Sequence, residues 1–187
     1  MKTLRRLVIA VPPLLMALLA AGQPVYAAQT PQSKSEGSTL MEKVRAATAR
    51  FKDINVATAA GFVQGTPCVS GPDAGAMGVH FVMPSRINNF VLQADEPQAL
   101  IYEPLPGGAW RLVGVEFIVL AMNWVTQPDG TTSTPALEGD LMNYESAPNR
   151  YGLPAFYELH VWAWEDNPKG SFADWNTHVT CEKLAAE

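Results

Sequence analysis

Three ionisable side chains stand in runs otherwise built for a protein core. His80 lies in Gly78-Val79-His80-Phe81-Val82, Glu116 in Val113-Gly114-Val115-Glu116-Phe117-Ile118-Val119, and His160 in Glu158-Leu159-His160-Val161-Trp162. Burying a lone carboxylate costs several kcal/mol unless something compensates, so Glu116 needs a partner. Two imidazoles and one carboxylate can occupy three coordination positions of a metal ion and leave others open. That donor set suits Fe(II), Zn(II) or Mn(II). Copper also enters, because Met77 and Met83 flank His80 and thioethers suit Cu(I). A bound ion would act as a Lewis acid or hold a substrate oxygen. Glu103 and Glu158 are reserve carboxylates for a further ligand or a supporting contact, and His178 is the reserve imidazole. The competing reading is structural: Glu116 accepts hydrogen bonds from His80 or His160 and fixes the sheet. Ligand distances near 2 Å separate the two, since donor atoms more than about 6 Å apart cannot share one ion.

Other chemistries lack their residues. There is no GxSxG elbow, no HExxH helix and no GxGxxG or lysine-ended glycine loop, although Gly71 to Gly78 is glycine-rich. Trp162 and Trp164 would share a face with Glu158 and His160 if their strand alternates regularly, which gives a pocket of polar groups beside large aromatics. By the same alternation Glu116 lies with Leu112, Gly114 and Ile118, opposite Val113, Val115, Phe117 and Val119, and Gly114 leaves room beside it.

The elements that must position these residues follow from periodicity. Leu40, Val44, Ala47 and Phe51 recur at helical spacing, with Thr39 as an N-cap. Asp53 caps a shorter helix that stops at Gly61. After Cys68 the chain turns to short apolar segments between turn residues: 79–82, 90–92, 99–103, 110–120 and 157–164, with one last short strand expected before Cys181. Leu100 to Leu120 reads as a hairpin about the turn Pro104 to Gly108. The fold class is α+β, two short N-terminal helices packed beside a mainly antiparallel, twisted sheet.

Several blocks resemble a known group. Gly75-Ala76-Met77-Gly78-Val79-His80-Phe81, Leu112-Val113-Gly114-Val115-Glu116-Phe117, and Leu159-His160-Val161-Trp162 with Asn167-Pro168, Gly170, Phe172, Trp175-Asn176 and Cys181 are similar to those of a group of uncharacterised small exported bacterial proteins. The resemblance spans most of residues 40 to 181. It implies export and lends no catalytic residue or cofactor.

The N-terminus points the same way. Lys2, Arg5 and Arg6 precede an apolar run from Leu7 to Ala21, and Val25-Tyr26-Ala27 offers a cleavage site before Ala28. The run is shorter than the roughly 20 residues of a spanning helix and is interrupted by Pro12-Pro13. The reading is a signal peptide over 1–27, a flexible leader over 28–38 and one globular domain over 39–187. That makes the protein periplasmic or extracellular, with no stable membrane span after cleavage; a retained anchor is the alternative. The mature chain holds 10 basic and 18 acidic side chains, a net charge of −8, which disfavours nucleic acid. Cys68 and Cys181 form an even pair in an oxidising compartment and read as a disulfide. Two functions stay open. One is a secreted protein with a His/Glu site for a divalent metal or small molecule. The other is a non-catalytic envelope domain with a structural polar centre that binds a partner by its surface.

Overall fold

A computed structural model describes residues 33–71, 73–87, 91–124 and 133–182. Helix α1 (Ser33–Thr48) leads through a 3-10 turn (Ala49–Lys52) into α2 (Ile54–Ala59). Strands β1 (Val63–Gln64), β2 (Val69–Gly71) and β3 (Gly75–Val82) follow, then a helical turn α3 (Pro84–Ile87). Strands β4 (Ala99–Pro104) and β5 (Trp110–Leu120) come next, then the turn α4 (Ala121–Trp124). The chain continues through β6 (Ala136–Leu137), β7 (Asp140–Leu141) and β8 (Asn143–Glu145) to β9 (Phe156–Val161). The main sheet runs β1-β3-β4-β5-β9-β8, with β2 also on β3, and every pairing is antiparallel. The fold is α+β, with its two main helices on the N-terminal side.

One face of the sheet carries the main core. Leu40 and Val44 of α1, Phe51, Ala57 and Phe62 pack on Val79, Phe81, Leu100, Tyr102, Val115, Phe117, Leu159 and Val161. Full burial of side chains this size contributes about 1.5–3 kcal/mol each, so this layer dominates the stability. Polar contacts fix the helices on it. The Tyr102 hydroxyl donates to the Phe51 carbonyl, Asp53 accepts from the Asn55 N–H at 2.9 Å as the cap of α2, and Trp164 Nε1 donates to Thr48 Oγ1 at 3.0 Å.

Two irregularities set which side chains reach the opposite face. Gly78, inside β3, has φ of +94°, and the pairing of β2 on β3 shifts register there. A Cβ at Gly78 would lie 2.7 Å from the Tyr102 carbonyl oxygen. Only glycine fits that bulge, and it resets the alternation two residues before His80. In β5 the register slips at Val113: Gly114 pairs with Ile101 and Leu112 with Tyr102. Leu112 therefore joins the helix-side core with Val115 and Phe117, while Val113 packs with Ile101 and Trp162 on the other side. Regular alternation had placed both the opposite way, and the bulge is the reason.

Further departures are local. Helix α1 begins at Ser33, inside the stretch expected to be a leader, so Thr39 is mid-helix and not a cap. The signal segment 1–27 and residues 28–32 lie outside the described residues, as does Phe90. Val91 and Leu92 are not in a strand. The last strand reduces to a bridge between Ala76 and Asn176. Cys68 and Cys181 are joined in a disulfide across 113 residues. Among the described residues no helix is long and apolar enough to cross a membrane.

Candidate metal centre

The site sits on the face away from the helices, and strand register builds it. Glu116 on β5 is paired directly with His160 on β9, and on its other side with Ala99 of β4. His80 on β3 is one strand further out, opposite Ile101. Ala99 is small and fully buried, which leaves the space over β4 that the His80 ring uses to reach Glu116 and His160. The result is close. His80 Nε2 lies 3.5 Å from His160 Nε2 and 3.4 Å from Glu116 Oε2. One donor atom from each residue falls within 4.8 Å of the others, and all three residues are buried. Two donors on a tetrahedral ion, each about 2.1 Å from it, lie about 3.4 Å apart, whereas neighbouring donors on an octahedral ion lie about 3.0 Å apart.

The rear of the His80 ring is hydrogen-bonded, and that of the His160 ring faces a carboxylate. His80 Nδ1 meets Thr66 Oγ1 at 3.2 Å, and the same hydroxyl oxygen accepts the His80 backbone N–H at 3.1 Å. With Nε2 as ligand, Nδ1 carries the proton and donates to Thr66. His160 Nδ1 faces Asp174 Oδ1 at 3.7 Å. Asp174 is held by Asn143 Nδ2, which donates to it at 3.1 Å. Its neighbour Ala173 accepts the Trp162 indole N–H. Trp162 in turn stacks on His160, with ring centroids 6.2 Å apart and planes at 19°.

Burial decides the charge state. It pushes the His80 imidazole down to about 3, with the His160 ring adding to the effect, and pushes His160 down to about 4. It raises the Glu116 carboxyl well above its ordinary range, and the Glu158 carboxyl hydrogen-bonded to it raises it further. Glu158 is itself raised to about 7, chiefly by burial. The His80–Glu116 pair has ion-pair spacing. Burial drives both members toward the neutral form, so in the metal-free protein it is a neutral pair. Neutral imidazoles are already the ligating form, and only Glu116 has to release a proton for a cation to bind.

His80 and Glu116 also line a small cavity of about 110 Å³ with Thr66, Val82, Ile118 and Tyr151. Larger clefts of about 720 Å³ and 550 Å³ lie elsewhere, one beside Lys43 and Glu138 and the other beside Cys181, and neither holds a site residue.

The remaining candidates divide. Glu158 joins the site through Glu116, and with His160 and Asp174 it makes a second group of possible ligands. Glu103 does not join it: Arg111 Nη2 holds it at 2.6 Å and the Thr180 N–H donates to its other oxygen. His178 faces the Asp166 carbonyl at 3.0 Å and Glu165 at 3.8 Å instead. Trp164 is not a pocket aromatic. The chain turns after Val161, through the Ala163 N–H to Val161 carbonyl bond of 2.8 Å, and Trp164 packs under Lys52 against α1. Gly114 leaves no room for a ligand, because Trp162 and the Val161 carbonyl fill the space where a Cβ would sit. Met77 accepts the Tyr151 hydroxyl at 3.3 Å, and Met83 packs toward Gly61 on the helix side, so neither thioether is shown at the site. Thr66, Tyr151 and Asp174 come from loops. Periodicity gives no signal for them, though Asp174 lies in a tail block rich in Trp and Asn.

Set against family models, curated proteins and solved structures, the chain matches none.

Proposed function

We propose that the protein is an exported metal-binding protein that holds one divalent ion, zinc by preference, on His80, Glu116 and His160. The observation that carries this is the spacing of the donor atoms. Three buried side chains from three strands present nitrogen and oxygen atoms 3.4 to 3.5 Å apart around His80, the tetrahedral spacing, with Thr66 and Asp174 behind the rings. Both buried histidines turn Nε2 inward, and His80 Nε2 meets His160 Nε2 and the Glu116 carboxyl together, as ligands of one ion do.

Three protein donors leave a fourth position for a small molecule, and the cavity beside His80 and Glu116 supplies the space. At about 110 Å³ it is smaller than the roughly 150 Å³ cavities that admit benzene, so it takes a molecule of a few heavy atoms. When bound, the ion supplies Lewis acidity toward an oxygen of such a molecule. Export fits the positive start and apolar run of the sequence, and it also fits the disulfide.

The test is metal analysis of protein purified from the extracytoplasmic fraction, for wild type and for His80→Ala and His160→Ala. About one ion per chain in wild type, lost in His160→Ala and held much more weakly in His80→Ala with the fold kept by circular dichroism, supports the site. No ion in wild type after incubation with zinc, together with unfolding of the variants, identifies a structural network instead.

A further inference from the structure

We propose that Glu158, His160 and Asp174 form a second, outer cation position that shares His160 with the inner one and loads it. This rests on the inner site being a metal site.

Three observations carry it. The donor atoms of Glu158, His160 and Asp174 all lie within 4.8 Å of one another. Two of those side chains are fully buried and each carries an atom with no hydrogen-bond partner among the described residues, Glu158 Oε2 and His160 Nδ1. Orphaned buried polar atoms are costly, so a pair of them beside a carboxylate is a gap that a cation fills. Thirdly, the two positions differ in access. The inner side chains are at most 5% exposed, whereas the Asp174 side chain is 32% exposed. An ion arriving from solvent meets Asp174 first.

The chemistry of imidazole orders the two positions. A neutral ring has one lone pair, on Nδ1 or on Nε2 according to tautomer. His160 turns Nε2 to His80 and Nδ1 to Asp174, so a neutral ring serves one position at a time. The outer set, two carboxylates and one imidazole, is harder and more open. The inner set, two imidazoles and one carboxylate, is the better zinc site. A cation held first on Nδ1 moves inward as Nε2 releases its proton to solvent and Nδ1, freed of the ion, takes one up from solvent and turns it to Asp174. The protein therefore binds one ion per chain at equilibrium.

Zinc loading of the metal-stripped protein, followed by stopped flow with a chromophoric chelator, tests this in wild type and Asp174→Asn. The variant is expected to load at least 10-fold more slowly. If Asp174 only orients His160, its loss speeds release and leaves the loading rate unchanged. The equilibrium arm uses His80→Gln, with folding checked by circular dichroism. It should keep one weaker zinc, which disappears when Asp174→Asn is added. An unchanged loading rate in Asp174→Asn, with no zinc left in His80→Gln, overturns the outer position and leaves the inner one standing. Undiminished affinity in His80→Gln, with loss in Asp174→Asn, sinks the inner site and keeps the outer one. Should His80→Gln unfold, the loading rate alone decides.

Discussion

At the scale of single residues the site separates ligands from supports, and each has its own expected cost. Replacing His160 by Ala removes a donor common to both ligand groups and should lower zinc affinity by at least about 100-fold. Thr66→Val removes no ligand, only the hydroxyl that meets the His80 ring and its backbone N–H, and should cost about 10- to 100-fold, the usual range for such a contact. Competition titration with a chelator of known affinity measures both, and equal losses would contradict the division. His80, Glu116 and His160 were legible in the sequence because a charged or polar residue in an apolar run must be explained. Thr66 and Asp174 were not, since a loop residue has no periodic position from which to stand out. The reserve residues Glu103 and His178 show the converse. A carboxylate or an imidazole close to a strand is a candidate by type alone, but Glu103 is satisfied by Arg111 and His178 by a backbone carbonyl.

At the scale of elements, strand type and the order of the hairpin could be read from alternation, whereas the bulges could not. Alternation has period 2, so one extra residue reverses the facing of the residues on one side of it relative to those on the other. Leu112 and Val113 changed faces for this reason, and Glu116 kept its expected one because it lies beyond the slip. Gly78→Ala puts a Cβ at φ +94° and 2.7 Å from a carbonyl oxygen. It should destabilise the fold by about 1–3 kcal/mol and weaken zinc binding with it, as read by urea melts and metal titration on one preparation. Trp164→Phe is the contrasting case. It removes the hydrogen bond to Thr48 and should cost about 1 kcal/mol with no change in zinc affinity. A change in affinity would return Trp164 to the site.

At the scale of the whole molecule, a sheet with helices on one face leaves its other face to loops, and the tail that supplies Asp174 is tied back by the Cys68–Cys181 disulfide. Replacing both cysteines by Ser opens a loop closed across 113 residues and should lower stability by about 4 to 5 kcal/mol on loop entropy, measured by denaturant melts. The pH dependence follows from groups held neutral. His80 and His160 are neutral in the fold but protonate below their ordinary 6.5 once unfolded, so they cost stability as pH falls from there toward about 4 and about 3. Glu116 and Glu158 keep their protons in the fold but lose them above their ordinary 4.5 when unfolded, so they cost stability as pH rises. The metal-free protein should therefore be most stable between those two ordinary values, and zinc should move that optimum upward, because binding needs Glu116 ionised. Urea melts at several pH values, with and without zinc, check both trends. The central claim is that His80, Glu116 and His160 bind one ion together. X-ray absorption on the zinc-loaded, desalted protein tests it most directly. Four light-atom neighbours, including two imidazole nitrogens at about 2.0–2.1 Å, with one imidazole lost in His80→Gln, are the expected result. Zinc that washes out on desalting, or a spectrum without imidazole scattering, would contradict it.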